Sequence, residues 1–152
     1  MLAVVRIRES VGIRKKTEDT LSMLRLDAIN NCVILPETAD YQGMIEKVKD
    51  VVTWGKIDKE ILVEMLKKRM RSKGEKRIDE NNLKSITGYN SYESFAEAML
   101  EGKIKLKDFD QLQPVFRLPP PSKGFKSVKE YYPRGDLGYR GKEINELIAR
   151  MI

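Results

Sequence analysis

MLAVVRI, residues 1–7, opens the chain with the alternating pattern of a β-strand. Successive side chains of a strand point to opposite faces. Ala3, Val5 and Ile7 therefore share one face, and the opposite face carries Leu2, Val4 and Arg6. The alternation predicts the first strand of a sheet.

Two more strands and two helices are predicted within the first 57 residues. The short apolar runs 32–35 and 51–54 indicate strands, which Pro36 and Gly55 close. Between the strands, apolar residues recur at helical spacing. These positions are Leu21 and Leu24 in the first helix and, after Thr38 as N-cap, Tyr41, Met44, Ile45 and Val48 in the second. The order strand, helix, strand, helix, strand predicts an α+β core in which two helices cover one face of a small sheet.

From residue 58 the pattern becomes mainly helical. Asp58 and Ser91 are the predicted N-caps of two helices, and a third helix ends the chain. Residues 114–118 have the character of a strand. Residues 119–141 are predicted to be irregular, because three consecutive prolines are followed there by four glycines. The apolar stripes of the three helices are Ile61, Leu62, Met65 and Leu66; Tyr92, Phe95, Ala96, Met99 and Leu100; and Ile144, Leu147, Ile148 and Met151.

The composition excludes several kinds of chemistry. The 152 residues carry a formal net charge of +6, which favours a polyanionic partner. Without histidine, the chain has no Ser-His or Cys-His nucleophile pair. A single cysteine, Cys32, allows neither an intramolecular disulfide nor a cysteine/histidine zinc site, and we expect it to be a buried strand thiol.

We expect a cytoplasmic protein, because no apolar run is long enough to span a membrane and residues 1–8 do not form a signal peptide.

Most of the excess positive charge lies in the last quarter of the chain. Residues 114–152 carry eight basic and four acidic side chains, whereas residues 1–57 and 58–113 are each within one charge of balance. Cations neutralise phosphates and aromatic rings stack on unpaired bases, so this segment predicts contact with RNA. The alternatives are a flexible surface loop, whose tyrosines pack back on the domain, and contact with a membrane surface. The predicted contacts are Arg117, Lys123, Phe125, Lys126, Lys129, Arg134, Tyr139, Arg140 and Lys142.

A second cationic segment, residues 8–16, follows the first strand. Cations just before a helix oppose the helix macrodipole, and an anion bound there would reverse that effect. A solvated basic turn is the alternative. The predicted RNA contacts in and beside this segment are Arg6, Arg8, Arg14, Lys15 and Lys16.

Motifs along nearly the whole chain resemble one protein family. They include Val4-Val5-Arg6-Ile7-Arg8, Asp40-Tyr41-Gln42-Gly43-Met44, Thr53-Trp54-Gly55, Phe116-Arg117-Leu118-Pro119-Pro120-Pro121 and Gly138-Tyr139-Arg140-Gly141. In these motifs the chain is similar to the archaeal long form of the universal large-subunit ribosomal protein numbered thirty, whose eukaryotic counterpart is numbered seven.

The resemblance implies a ferredoxin-like βαβαβ core over residues 1–57 and a mainly helical extension over residues 58–152. It implies a structural constituent of the large ribosomal subunit that binds large-subunit rRNA near 5S rRNA and has ribosomal proteins as neighbours. It implies no catalysis, metal, cofactor, membrane or small-molecule substrate. We expect residues 119–141 to be mobile in the free protein and ordered by RNA. The alternatives are an RNA-processing or RNA-modifying enzyme on a ferredoxin-like scaffold and a regulator that binds a small molecule.

Overall fold

The computed structural model describes residues 1–9 and 11–152 and confirms the α+β class and the βαβαβ order of the first part. The elements of this part are β1 (Leu2–Arg6), α1 (Lys15–Met23), β2 (Asn31–Leu35), α2 (Ala39–Lys47) and β3 (Val52–Lys56). The elements that follow are α3 (Lys59–Arg69), α4 (Glu80–Thr87), α5 (Tyr92–Leu100), β4 (Phe116–Arg117), β5 (Gly138–Tyr139) and α6 (Ile144–Met151).

The strands form one mixed sheet in the order β4-β2-β1-β3-β5. β1 pairs antiparallel with β2 and β3, β4 pairs antiparallel with β2, and β5 runs parallel to β3. As a result, β1 and β4 end where β2, β3 and β5 begin. We call this side of the sheet the Arg6 end; its strand termini are Arg6, Asn31, Val52, Arg117 and Gly138.

Each face of the sheet buries its own apolar core. Leu2 and Val4 of β1 pack with residues of α1 and α2, the two helices that the sequence predicts on one face of the sheet. Ala3 and Val5 point to the other face and pack with residues of α3, α5 and α6, and we call this cluster the second core. Residues 58–152 therefore contribute two edge strands and a second helical layer to the sheet that residues 1–57 begin.

Cys32 lies in the second core and is fully buried, as the sequence predicts for a strand thiol. Burial raises the pKa of this thiol to about 12. Because the thiolate is the reactive form, Cys32 is chemically inert at neutral pH in the folded protein.

The helix ends follow the predicted capping residues with one exception. The hydroxyls of Thr38 and Ser91 accept the N–H groups that begin α2 and α5. Gly102 ends α5 with a positive φ of 77°, where a residue without Cβ is favoured. Asp58 occupies the predicted N-cap position of α3, but its side chain accepts no N–H group of the helix. Its own backbone N–H donates to Asn145 Oδ1 at 2.8 Å.

Two elements lie where the sequence predicts none. α4 is a short polar helix whose buried residue is Leu83, so it has no apolar stripe for a pattern to detect. β5 lies inside the segment 119–141 that was predicted to be irregular, which corrects that prediction for these two residues. Two residues cannot show an alternation, and β5 forms because β3 offers it a partner.

Candidate nucleic-acid interface

Three exposed cations stand where α1 begins, at the Arg6 end of the sheet. Arg14 occupies the N-cap position and its carbonyl accepts the N–H of Thr17 at 2.9 Å. Lys15 and Lys16 form the first turn, and all three cationic side chains are exposed. The positive end of the helix dipole adds to their charge, so this corner is accessible and favourable to an anion.

Arg8 follows β1 at the Arg6 end of the sheet and is held against the start of β3. The N–H groups of Ile7 and Arg8 both donate to the Val51 carbonyl, at 2.9 and 3.2 Å. The Arg8 guanidinium donates from Nη1 to the Asp50 carbonyl at 3.3 Å, in an exposed position. Arg8 is half-buried and keeps part of its surface open to a ligand.

Arg6 is a structural residue. Its side chain is 2% exposed, and Nη1 donates to the carbonyls of Leu26 and Asp27 at 2.7 and 2.9 Å. Its Nε donates to the Arg8 carbonyl at 2.9 Å. Burial lowers the pKa of Arg6, and the charge of Asp27 partly opposes that shift. Arg6 therefore ties together the loops at this end, and its position does not support the predicted contact with RNA.

Arg140 is buried as well. It lies at the centre of a network of polar groups that holds residues 119–141, which we call the tail. Its Nη2 donates to Asp136 Oδ1 at 2.7 Å, and its Nε donates to the Thr53 hydroxyl at 2.9 Å. Thr53 in turn donates to the Gly138 carbonyl at 2.9 Å. With 7% of its surface exposed, Arg140 serves the fold, and its position does not support the predicted contact with a phosphate.

The same network positions the exposed cations of the tail. Asp136 Oδ2 accepts the N–H groups of Lys126 and Ser127, the latter at 3.2 Å. This anchors the backbone between Phe125 and Asp136 and leaves the cationic side chains in solvent. The exposed cations in and just before this stretch are Lys123, Lys126, Lys129 and Arg134.

The two aromatic residues predicted to contact RNA differ in their surroundings. Phe125 is half-buried and packs against the second core, which leaves little ring surface for a base. Tyr139 is 53% exposed on the edge strand β5, and its ring centroid lies 6.2 Å from that of Trp54. Lys142, which follows in a 3₁₀ turn, is also exposed.

Arg117 stands apart from the other predicted contacts. It belongs to β4, at the opposite edge of the sheet from β5, and its guanidinium pairs with Glu75. It shares a groove with Lys73 and Lys107, and Asp27 and Asp110 line the same groove. The structure therefore separates Arg117 from the cations that gather beside β3 and β5.

Asp50 joins the two basic segments. Its carbonyl accepts the Arg8 guanidinium, and its carboxylate accepts the hydroxyl of Tyr131 from the tail. Asp50, Tyr131 and Asp136 are not among the contacts that the sequence predicts. Tyr131 had a weak signal, because it lies among cations and rings, whereas the two aspartates are recognisable only from their distant partners.

The site offers cations and aromatic surface for binding a polyanion. Within residues 1–9 and 11–152, no three histidine, cysteine, aspartate or glutamate side chains gather in a way that would hold a metal ion. No helix in this described part of the chain has the length and apolar character needed to cross a bilayer.

Comparisons with known proteins agree with these features. Residues 2–52 match the family model described as "Ribosomal protein L30p/L7e". Proteins named "Large ribosomal subunit protein uL30" are similar over nearly the whole chain. The one from Archaeoglobus fulgidus is 48% identical and covers 99% of both chains. The one from Thermoplasma volcanium is 49% identical over 100% of this chain and 93% of its own, and the one from Methanocorpusculum labreanum is 47% identical over 99% of both.

Proposed function

The chain belongs to the ribosomal protein L30p/L7e family, and from that premise we propose that it binds large-subunit rRNA through the Arg6 end of its sheet. It is a structural, non-enzymatic protein of the large ribosomal subunit, and its archaeal relatives are named as proteins of that subunit. This sets aside the enzyme alternative. Cytoplasmic ribosomes are its proposed location, with neighbouring ribosomal proteins as further partners.

One observation carries the proposal: two segments far apart in sequence place their exposed cations at the same end of the sheet. The loop after β1 and the tail before β5 meet at Asp50, which bonds to Arg8 and to Tyr131. Phosphates are the most abundant anions on folded RNA, and they fix the orientation of a bound protein. The proposed contacts at this end are Arg8, Arg14, Lys15, Lys16, Lys123, Lys126, Lys129 and Arg134, with Tyr139 of β5 and Lys142 in the turn after it as further contacts.

The surface favours recognition of RNA by shape. The cations come from a helix terminus and from a tail anchored by buried hydrogen bonds, so most of the backbone that carries them is positioned before RNA arrives. Fixed cations match one arrangement of phosphates better than others, which suits a folded rRNA junction. The specific proposal that the junction lies near 5S rRNA rests on the family resemblance.

Salt titration of rRNA-fragment binding tests the phosphate contacts. If five to seven of the cations meet phosphates, the logarithm of the association constant falls against the logarithm of salt concentration with a slope of about −4 to −6. A slope near zero would contradict the proposal. Sedimentation of a lysate tests the ribosomal role separately, because a structural constituent stays with the large subunit after a high-salt wash.

A further inference from the structure

Tyr131 presents a fixed aromatic ring between the two basic segments. Its hydroxyl donates to the Asp50 carboxylate, and the Cδ1–Cε1 edge of its ring lies against Gly138. A Cβ placed on Gly138 would stand 2.9 Å from Tyr131 Cδ1, so the ring occupies the space that a larger residue would need. The residue is nevertheless 45% exposed, which leaves ring surface open to solvent.

The backbone around Tyr131 is held on both sides. The Tyr131 carbonyl accepts the Gly135 N–H at 2.9 Å, and the Glu130 carbonyl accepts the Leu137 N–H at 3.1 Å. The Tyr132 N–H donates to the Leu137 carbonyl at 2.9 Å. Because the main chain and the hydroxyl are both anchored, the ring loses little conformational freedom when it binds a partner.

Three cations lie around the ring, beside the carboxylates of Asp50 and Glu130. Lys129 and Arg134 line the same shallow depression as Tyr131. Arg8 lies near the hydroxyl end of the ring, since its guanidinium bonds to the main chain of Asp50, whose carboxylate accepts the tyrosine hydroxyl. An open ring flanked by positive charge matches a nucleotide, whose base stacks while its phosphates meet the cations.

We propose that Tyr131 is a stacking platform for one unpaired RNA base, whose flanking phosphates contact Arg8, Lys129 and Arg134. This inference rests on the proposed function and adds which part of the RNA this surface binds, namely an unpaired base. The base must be unpaired, because bases inside an A-form duplex are stacked on each other and expose no face. The Arg6 end therefore prefers RNA with a bulge or a single-stranded segment over a continuous duplex.

The test compares two RNA probes against three forms of the whole chain. The probes are a single-stranded oligoadenylate and a fully paired RNA duplex with the same number of phosphates, each followed by fluorescence anisotropy. The proteins are the wild type, Tyr131→Leu, which keeps apolar bulk without a ring, and Tyr131→Phe, which keeps the ring. Circular dichroism checks that each variant is folded.

We expect Tyr131→Leu to bind the single strand roughly 5- to 100-fold more weakly, as the loss of one stacked base predicts. It should bind the duplex as the wild type does, and Tyr131→Phe should retain most of the single-strand affinity. Equal losses for both probes, or no loss for either, would overturn the stacking role; the second result would assign the ring to packing or to a protein neighbour. Failure of the proposed function is a different outcome, because the wild type would then bind neither probe.

Discussion

Arg140 and Asp136 form an ion pair inside the protein, with Nη2 and Oδ1 2.7 Å apart and side chains that are 5% and 6% exposed. The pair is bonded to the Thr53 hydroxyl of β3 and to the backbone of Lys126 and Ser127. It connects the sheet to the basic tail, so the cations of the tail depend on it for their position.

Replacement of Arg140 by methionine removes the charge and leaves Asp136 buried without its partner. We expect the free energy of unfolding to fall by about 3–5 kcal/mol, because an unpaired buried carboxylate is strongly unfavourable. Urea unfolding measures this change as a lower midpoint. Arg134→Ala is the matched control: it removes an exposed arginine of the same tail and should change stability by no more than about 0.5 kcal/mol. An unchanged midpoint for Arg140→Met would show that the pair contributes nothing.

Joint replacement of Arg14, Lys15 and Lys16 by alanine should weaken binding to rRNA fragments and leave the fold intact. Three lost phosphate contacts should make the salt slope less steep by about 2–3. The melting temperature should stay the same or rise slightly, because cations at a helix N-terminus oppose the dipole.

The control for that variant removes the same charge elsewhere. Lys59, Lys67 and Lys68 lie on α3, where they pair with glutamates at the surface. Replacing these three by alanine should leave the salt slope nearly unchanged. If both triple variants lower the slope equally, binding depends on net charge and the location of the cations has no importance.

Hydrogen exchange should divide the tail into two parts. We expect slow exchange in the free protein for the amides of Tyr132, Asp136, Leu137 and Arg140, which donate to backbone carbonyls at 2.8–3.1 Å. The Lys129 amide, whose acceptor is the exposed hydroxyl of Ser127 at 3.3 Å, should exchange fast and slow down when RNA binds. Uniformly fast exchange across these residues in the free protein would instead support a fully mobile tail.

Two glycine-to-alanine changes should have opposite effects on stability. At Gly55 a Cβ would overlap the carbonyl oxygen of Gly141, just before α6, so Gly55→Ala should destabilise the protein by about 1–3 kcal/mol. Gly43 lies within α2 with no atom near its Cβ position, so Gly43→Ala should stabilise by about 0.5–1 kcal/mol. Thermal or urea unfolding of both variants checks this. Unchanged stability of Gly55→Ala would contradict the prediction and would mean that α6 can shift without destabilising the protein.

The sequence determined the order of the first five elements and the apolar stripes of the helices at residues 59–69, 92–100 and 144–151, whereas α4 and β5 lie outside its patterns. Strand alternation, helical spacing and the caps at Thr38 and Ser91 are local, so a short window of residues contains the information for each. It also determined that the chain is basic and that the excess charge lies near the C-terminus.

Only the tertiary structure decided which cations face solvent. Arg6 and Arg140 look like their exposed neighbours in sequence, but carbonyls, Thr53 and Asp136 from other segments surround them. The same holds for Tyr131, whose anchor Asp50 lies 81 positions away along the chain. A side chain is buried or presented according to its partners in space, and partners from distant segments leave no periodic trace in the sequence around either residue.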